Sequence, residues 1–187
     1  AGGDSLKGKR DYEGAKKLLA EAGYQVAAII LLVATDISIT KAQGDVTADL
    51  LKKIGMNVDY QALDWGTVGA RRAKKDPPGK GGWHIFHTWH AGADCVNPAP
   101  YTALDAGGDA AWFGWPKSDA VQADIAAWYE AGDLAAEKAA IAKLDEDSFA
   151  NVTYAPTGFF LQYQAWSKSL SGVVKAPFPV FWDVQKA

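Results

Sequence analysis

The amino-acid sequence predicts an α/β protein with a mixed, largely parallel sheet flanked by helices. Strand-like stretches alternate with helical ones along the first half of the chain. The run AAIILLVAT, residues 27–35, is apolar at nearly every position, which is typical of a strand covered on both faces. The 187 residues include 49% hydrophobic and 22% charged residues, a composition that supports one globular domain with a substantial core.

The elements of the first half follow from hydrophobic spacing and from capping residues. A helix opens at Asp11 and stops at Gly23, and a second helix has Ser38 as its cap and Gly55 as its terminator. The remaining elements predicted there are the strand 27–35, the strand 56–63, a short helix 65–75 and a third strand 83–89.

A long loop and an apolar tail distinguish the second half. Residues 90–117 are rich in Gly, Pro, Asn, Asp and Trp, and loops of this length are usually functional. Two helices are predicted at 118–131 and 133–151, followed by the strand-like pieces TGFFLQYQAW and GVVK and the ending PFPVFWDV. This tail has little left in the chain to pack against, so it suggests a partner surface; an edge hairpin on the same sheet is the alternative.

Composition excludes several classes of protein. The net charge is −3 and the basic residues cluster only at 71–75, so we expect no nucleic-acid binding. The longest apolar run, 26–34, is too short to span a bilayer. A single cysteine excludes an intrachain disulfide. The first residues lack the features of a signal peptide, so we expect a cytosolic protein, a mature chain or a fragment.

All three histidines lie in GGWHIFHTWHAGADCVNPAPY, residues 81–101, which raises the possibility of a metal site. The surrounding aromatic and β-branched residues favour a strand. On a strand His84 and His90 share one face, too far apart to bind one zinc ion together, while His87 points to the other. We therefore predict no metal.

Cys95 and His90 are the only candidate pair for nucleophilic catalysis. No family signature surrounds Cys95, and no nucleophile elbow or Gly-rich phosphate loop is present. We expect Cys95 to pack as a small hydrophobic residue, and we predict neither catalytic residues nor a cofactor.

Asp94 follows the third predicted strand, at the end where ligands usually bind in open α/β sheets. A carboxylate near Trp89 can bind an ammonium group through a charged hydrogen bond and a cation–π contact. In the alternative, Asp94 serves only the backbone, in an Asx turn.

The order of these segments resembles a known family. DYEGAKKLLAEAGY, ADLLKKIGMNVDYQALDWGT, GGWHIFHTWHAGADCVNPA and APFPVFWDV together are similar to the second lobe of the family 5 extracellular solute-binding proteins, the peptide-, dipeptide- and nickel-binding components of bacterial ABC transporters. The resemblance covers essentially the whole chain. It implies a lobe of the type II periplasmic-binding-protein fold, a periplasmic location and no enzymatic activity.

The resemblance also implies a division of the chain and a set of partners. Residues 1–154 would form the second lobe, and residues 155–187 would cross back toward a missing N-terminal lobe. From about Phe159 onward we therefore expect loose packing, or packing against another copy. The expected partners are a peptide or small-molecule ligand, the missing lobe and the transporter permease, through which alone the protein would contact the membrane.

The family's ammonium-binding motif, Ala-Asp-x-x-x-Pro, matches residues 93–98, so the resemblance assigns Asp94 to the ligand's α-ammonium group, with Trp89 as an aromatic wall. The full set of expected ligand-binding residues is Asp36, Trp65, Trp89, His90, Asp94, Asn97 and Trp115. Some dipeptide-binding relatives place an arginine just before the second helix, where this chain has Ala34-Thr35-Asp36 and no cation. Two aspartates facing one cleft would favour a cationic or amine-bearing ligand over one with an unpaired carboxylate. A Cys/His-dependent hydrolase and an interaction domain that docks through its aromatic tail are the alternative functions.

Overall fold

The computed structural model describes residues 8–186. The chain divides into two compact units, the first ending at Thr88 and the second beginning at Trp89. The first unit contains two hydrophobic clusters and the second unit contains one, within the described residues. Within the described residues, no helix is both long and apolar enough to cross a membrane.

The first unit is a three-stranded parallel sheet with helices. Its elements are α1 Tyr12–Glu21, β1 Ala28–Ala34, α2 Ser38–Lys53, β2 Asn57–Leu63, α3 Trp65–Arg72 and β3 Ile85–Phe86. The strands lie in the order β2-β1-β3, with Ala28 opposite Asn57 and Leu31 opposite Ile85. The predicted α/β class and parallel pairing are confirmed, although the third strand is much shorter than the predicted 83–89.

The central strand β1 is buried on both faces, as the apolar run predicted. Ile30, Leu32 and Ala34 pack with Val68 of α3 on one face. Leu31 and Val33 pack with Ala48 of α2 on the other. Because neighbouring side chains along a strand point in opposite directions, one continuous apolar run supplies both layers of the core.

The helix termini confirm most of the predicted caps. Asp11 accepts a hydrogen bond from the Gly14 N–H at 2.8 Å and begins α1. Gly55, with φ +93°, ends α2 as predicted. Ser38 as the cap of α2 was wrong, because Ile37 occupies that position and makes no side-chain cap bond.

Thr40, which is fully buried, makes a side-chain contact near the start of α2. It donates to the carbonyl oxygen of Ala34 at 2.7 Å and lies 2.9 Å from that of Ile37. This side chain therefore joins the end of β1 to the first turn of α2, and its single O–H is satisfied in the buried interior.

The second unit contains a helical hairpin and two short strands. Its elements are α4 Asp119–Tyr129, α5 Leu134–Asn151, β4 Leu170–Ser171 and β5 Gln185–Lys186. Ser118 and Asp133 cap the two helices, close to where the sequence placed their starts. Val121 and Leu144 pack with Ala106 in the core of this unit.

The tail differs from its predicted secondary structure. Neither 157–166 nor 172–175 is a hydrogen-bonded strand; instead β4 pairs antiparallel with β5. Phe178, Phe181 and Trp182 are 54%, 79% and 80% exposed. The expected loose packing of the tail is thus confirmed, while the division at residues 154 and 155 stays a prediction.

Candidate functional site

Most of the predicted ligand-binding residues lie in the segment that follows β3. His84, directly before β3, contacts the neighbouring strand β1. The Ile30 N–H donates to Nδ1 of His84 at 2.9 Å, and the His84 N–H donates to the Ile30 carbonyl oxygen at 3.1 Å. His84 therefore aligns the chain with β1. Its Nδ1 acts as an acceptor toward the backbone, which leaves that nitrogen no lone pair for a metal.

His87 has a separate, partly buried environment beside α2. Its Nε2 lies 2.9 Å from the hydroxyl oxygen of Thr47. Burial lowers the pKa of His87, because the charged imidazolium is poorly solvated there. Within residues 8–186, its Nδ1 is buried without a hydrogen-bond partner.

His90 is surrounded by aromatic rings of the second unit. Its ring centroid lies 5.2 Å from that of Tyr101 and 5.4 Å from that of Trp112, both in edge-to-face contact. Tyr101 in turn lies 5.4 Å from Tyr154. These four residues form what we call the His90 cluster. Each histidine thus has different neighbours, and the described residues contain no group of His, Cys, Asp and Glu arranged to hold a metal ion.

Asp94 lies in the short 3-10 helix Gly92–Cys95, which follows His90 closely along the chain. Its backbone N–H donates to the carbonyl oxygen of Ala91 at 2.9 Å. Its half-buried carboxylate makes no hydrogen bond or ion pair with any residue in 8–186. The turn is therefore closed by main-chain atoms, and the charge of Asp94 is left to solvent or to a ligand.

The Asx turn in this loop belongs to Asn97. Its Oδ1 accepts the Ala99 N–H at 3.1 Å, which is the local backbone contact that Asp94 was alternatively expected to make. Asn97 was predicted to bind ligand, but its side-chain oxygen has a structural role. The Asx turn in this loop is therefore formed by Asn97 and not by Asp94.

The environment of Cys95 disfavours a reactive thiolate. Its thiol donates to the carbonyl oxygen of Ala91, with Sγ 3.6 Å away. Partial burial is the larger cause that raises the pKa of the Cys95 thiol, and the negative charge of Asp94 is the smaller one. Since the thiolate is the nucleophile, this is opposite to the shift that catalysis needs.

Asp36 and Trp65, two predicted ligand residues, contact each other in the first unit. The Trp65 N–H lies 2.9 Å from Oδ1 and 3.1 Å from Oδ2 of Asp36. Asp64 accepts the Thr67 N–H at 2.9 Å in the same first turn of α3. Two carboxylates therefore stabilise the N-terminus of α3, where backbone N–H groups lack partners within the helix.

A cation that sequence reasoning missed lies beside Trp65. The guanidinium carbon of Arg72 is 5.3 Å from the Trp65 ring centroid and 5.8 Å from that of Phe86. Burial lowers the pKa of Arg72. The spacing of seven residues on α3, two helical turns, was a signal that could have placed Arg72 near Trp65.

The other predicted tryptophans lie in the second unit. Trp89 is its first residue and is 37% exposed. Trp115 has φ +47°, and its N–H donates to the carbonyl oxygen of Trp112 at 2.9 Å. A tight turn therefore joins Trp115 to Trp112, which is a member of the His90 cluster. Tyr101, Trp112 and Tyr154 were not predicted, since no periodic pattern links their positions.

Comparison with known proteins gives one extended sequence match. Over 177 residues the chain is 36% identical to a probable peptide ABC transporter periplasmic-binding protein of Sinorhizobium fredii, a match that covers 95% of this chain and 33% of the relative. The chain is thus similar in sequence to part of a protein named as a periplasmic-binding protein. It spans about a third of the length of this curated relative. No family model matches the sequence.

Solved structures of solute-binding proteins have the same fold. The dipeptide-binding protein of Pseudoalteromonas sp. SM9913 in complex with Met-Leu aligns with a TM-score of 0.66 at 18% identity, over 95% of this chain and 36% of that one. The substrate-binding protein CtaP of Listeria monocytogenes aligns with a TM-score of 0.62 at 14% identity, over 77% of this chain and 29% of that one. The predicted type II periplasmic-binding-protein fold is confirmed.

Proposed function

We propose that this chain is part of the solute-binding component of a bacterial ABC transporter, which captures a small solute in the periplasm and delivers it to a permease. The observation that carries the proposal is the sequence match along 95% of the chain to a protein named as a periplasmic peptide-binding component. The permease would then be the only route by which the protein contacts the membrane, and nucleic acid is not among its partners.

The chain would work together with a lobe that it does not contain. The match covers only 33% of the relative, which supports a longer functional protein. In this proposal residues 1–154 form the second lobe, residues 155–187 return toward the first, and the ligand lies in the cleft between the lobes. Closure of such a cleft around a solute is a common domain motion in binding proteins. The exposed aromatic tail fits a segment with a further contact to make.

The ligand's amine would bind Asp94. Its carboxylate makes no hydrogen bond or ion pair with residues 8–186, so it is available to an ammonium group. Asp36 is already engaged by the N-terminus of α3, and we therefore assign the selection for positive charge to Asp94 rather than to both aspartates. Trp89 and the His90 cluster would supply aromatic surface around the ligand, with Trp115 as a further wall.

A ligand-binding function fits the site better than the alternative function, that of a Cys/His-dependent hydrolase. The Cys95 thiol donates to a backbone oxygen, and its raised pKa keeps it protonated at neutral pH. Neither feature prepares a nucleophile. Alkylation of Cys95 gives a direct check: a ligand-dependent turnover that disappears on alkylation would contradict a purely binding function.

Thermal melts of the ligand-free, full-length gene product test the proposed function. Met-Leu, its N-acetylated form and a simple alkylamine serve as probes, because they differ in amine and carboxylate content. A ligand that binds only the folded protein stabilises it by an amount that rises with the ratio of its free concentration to its Kd. We expect Met-Leu or the alkylamine to raise the melting temperature and N-acetyl-Met-Leu to have little effect. Equal stabilisation by the acetylated peptide would exclude recognition of the ammonium group.

A further inference from the structure

The helices α4 and α5 meet through a pair of carboxyl groups. Asp124 of α4 and Asp147 of α5 share a side-chain hydrogen bond across the hairpin. Both residues are partly buried, and the side chain of Asp147 is 18% exposed. No hydrogen-bond donor of residues 8–186 reaches the buried Oδ2 of Asp124. Because ionised carboxylates only accept hydrogen bonds, the contact between the two requires a proton on one of them.

Asp147 is the member of the pair that keeps its negative charge. Its Oδ2 lies 2.5 Å from Nζ of Lys143, one turn earlier on α5. This charged hydrogen bond is the main cause that lowers the pKa of Asp147, and the hydrogen bond with Asp124 lowers it further. The carboxylate of Asp147 therefore accepts one hydrogen bond from its own helix and one from α4.

Asp124 is the member that holds the proton. Burial is the main cause that raises the pKa of Asp124 above its ordinary value of 3.8, followed by the contact with Asp147. The negative charge of Glu146 raises this pKa as well, whereas the positive charge of Lys143 opposes the shift. The charges that act on Asp124 from α5 thus favour its neutral form on balance.

The same hairpin anchors the loop that carries most of the His90 cluster. Val121 of α4 and Leu144 of α5 pack with Ala106 of this loop. Asp105, a charged residue of the loop, accepts a hydrogen bond from Nε2 of Gln122 at 3.0 Å. A change in how firmly α4 holds α5 therefore reaches the loop.

We propose that Asp124 and Asp147 form a proton-dependent clasp between α4 and α5. While they share one proton, the two carboxyl groups join the helices. When that proton leaves, two negative charges face each other in a partly buried contact, and the hairpin loosens. The clasp therefore weakens as the pH rises, and it does not depend on the proposed transport function.

The pH range of the clasp follows from the raised pKa of Asp124. Its contribution to stability is fully present below pH 3.8, the ordinary value, and is lost as the pH rises from there through the folded-state pKa. Across this interval, opening of the hairpin releases one proton. The equilibrium constant for opening should therefore rise about tenfold per pH unit and level off above the interval.

Hydrogen–deuterium exchange of residues 119–151 in the full-length protein, read by mass spectrometry between about pH 4 and about pH 8, measures this opening. Variants are compared at equal pH, so that the intrinsic pH dependence of exchange cancels. Asp124→Asn imitates the protonated carboxyl group, because its amide can donate to Asp147 at every pH. Asp119→Asn is the matched control, since it removes a charge from an exposed residue of the same helix.

We expect opening of the hairpin in the wild type and in Asp119→Asn to rise with pH relative to Asp124→Asn. Lys143→Gln keeps both carboxyl groups but removes the charge that favours their ionisation, so its rise should extend to higher pH than that of the wild type. Equal pH dependence in the wild type and Asp124→Asn would overturn the proposal. A rise that ends at the same pH in Lys143→Gln as in the wild type, or one that disappears in Asp119→Asn, would also overturn it.

Discussion

Both carboxylate oxygens of Asp36 face the backbone N–H of Trp65, at 2.9 and 3.1 Å. The sequence presented these two residues as separate candidates for ligand binding. Their contact gives Asp36 a structural role in the first unit, since it stabilises the first turn of α3.

Replacing Asp36 should therefore reduce stability. We expect Asp36→Ala to lower the free energy of unfolding by about 1 kcal/mol, the usual effect of losing a capping side chain. Urea denaturation measures this change, with Asp76→Ala as the control because Asp76 is exposed and its side chain makes no hydrogen bond or ion pair within the described residues. Unchanged stability in Asp36→Ala would contradict the capping role and restore Asp36 as a ligand residue.

Two glycines in helices should respond oppositely to substitution by alanine. A Cβ at Gly44 in α2 would lie 2.6 and 2.7 Å from the methyl carbons of Val33, whereas one at Gly69 in α3 would contact nothing within 4 Å. We expect Gly44→Ala to cost about 1–3 kcal/mol through overpacking of the core. Gly69→Ala should gain about 0.5–1 kcal/mol, because alanine restricts the unfolded chain and favours the helix.

Thermal melts of the two glycine variants decide this prediction. Similar shifts of the melting temperature in both would show that α2 does not pack against β1 as closely as the structure places it. Opposite shifts would support the packing of the face that contains Val33.

The buried His87 should make the fold sensitive to acid. Its folded-state pKa lies below the ordinary value of 6.5, so the folded protein binds a proton less readily than the unfolded chain. The contribution of neutral His87 to stability is fully present above pH 6.5 and is lost as the pH falls through that value toward the folded-state pKa.

Urea unfolding between about pH 8 and about pH 5 measures the effect of His87. His87→Gln keeps a polar atom near Thr47 but cannot titrate, so its stability should fall less steeply on acidification than that of the wild type. Parallel pH profiles for the two proteins would show that another group carries the acid response.

The sequence predicted the parts of the fold that rest on local physical chemistry. The apolar run of β1 indicated a strand buried on both faces, and Asp11 and Gly23 marked the ends of α1, because these patterns act within a few residues. Ser38 did not cap α2, because it is the first helical residue and Ile37 occupies the cap position. The tail did not form the predicted strands, since β-propensity becomes a strand only when a partner supplies hydrogen bonds.

The candidate site was less predictable, because its residues meet through tertiary contacts. Sequence placed Asp94 and Asn97 in one loop but could not tell which of them closes an Asx turn; Asn97 does. Tyr101, Trp112 and Tyr154 approach His90 from distant positions, and Arg72 reaches Trp65 only after α3 forms. No spacing rule in the sequence brings such residues together.

The central claim, that Asp94 binds the amine of a ligand, depends on a charge that makes no ion pair within the described chain. Asp94→Asn retains nearly the same shape and, because the carboxylate makes no internal hydrogen bond, should leave the apo melting temperature unchanged. Losing a charged hydrogen bond to a desolvated ammonium group should weaken binding by roughly 2–5 kcal/mol. Asp76→Asn removes the same charge from an exposed loop of the first unit and serves as the matched control.

Calorimetric titration of the full-length protein with the best amine probe, for wild type, Asp94→Asn and Asp76→Asn, tests this claim most directly. We expect Asp94→Asn to bind far more weakly, whereas Asp76→Asn should keep the wild-type affinity and all three apo proteins should melt alike. Equal affinities of wild type and Asp94→Asn would contradict it.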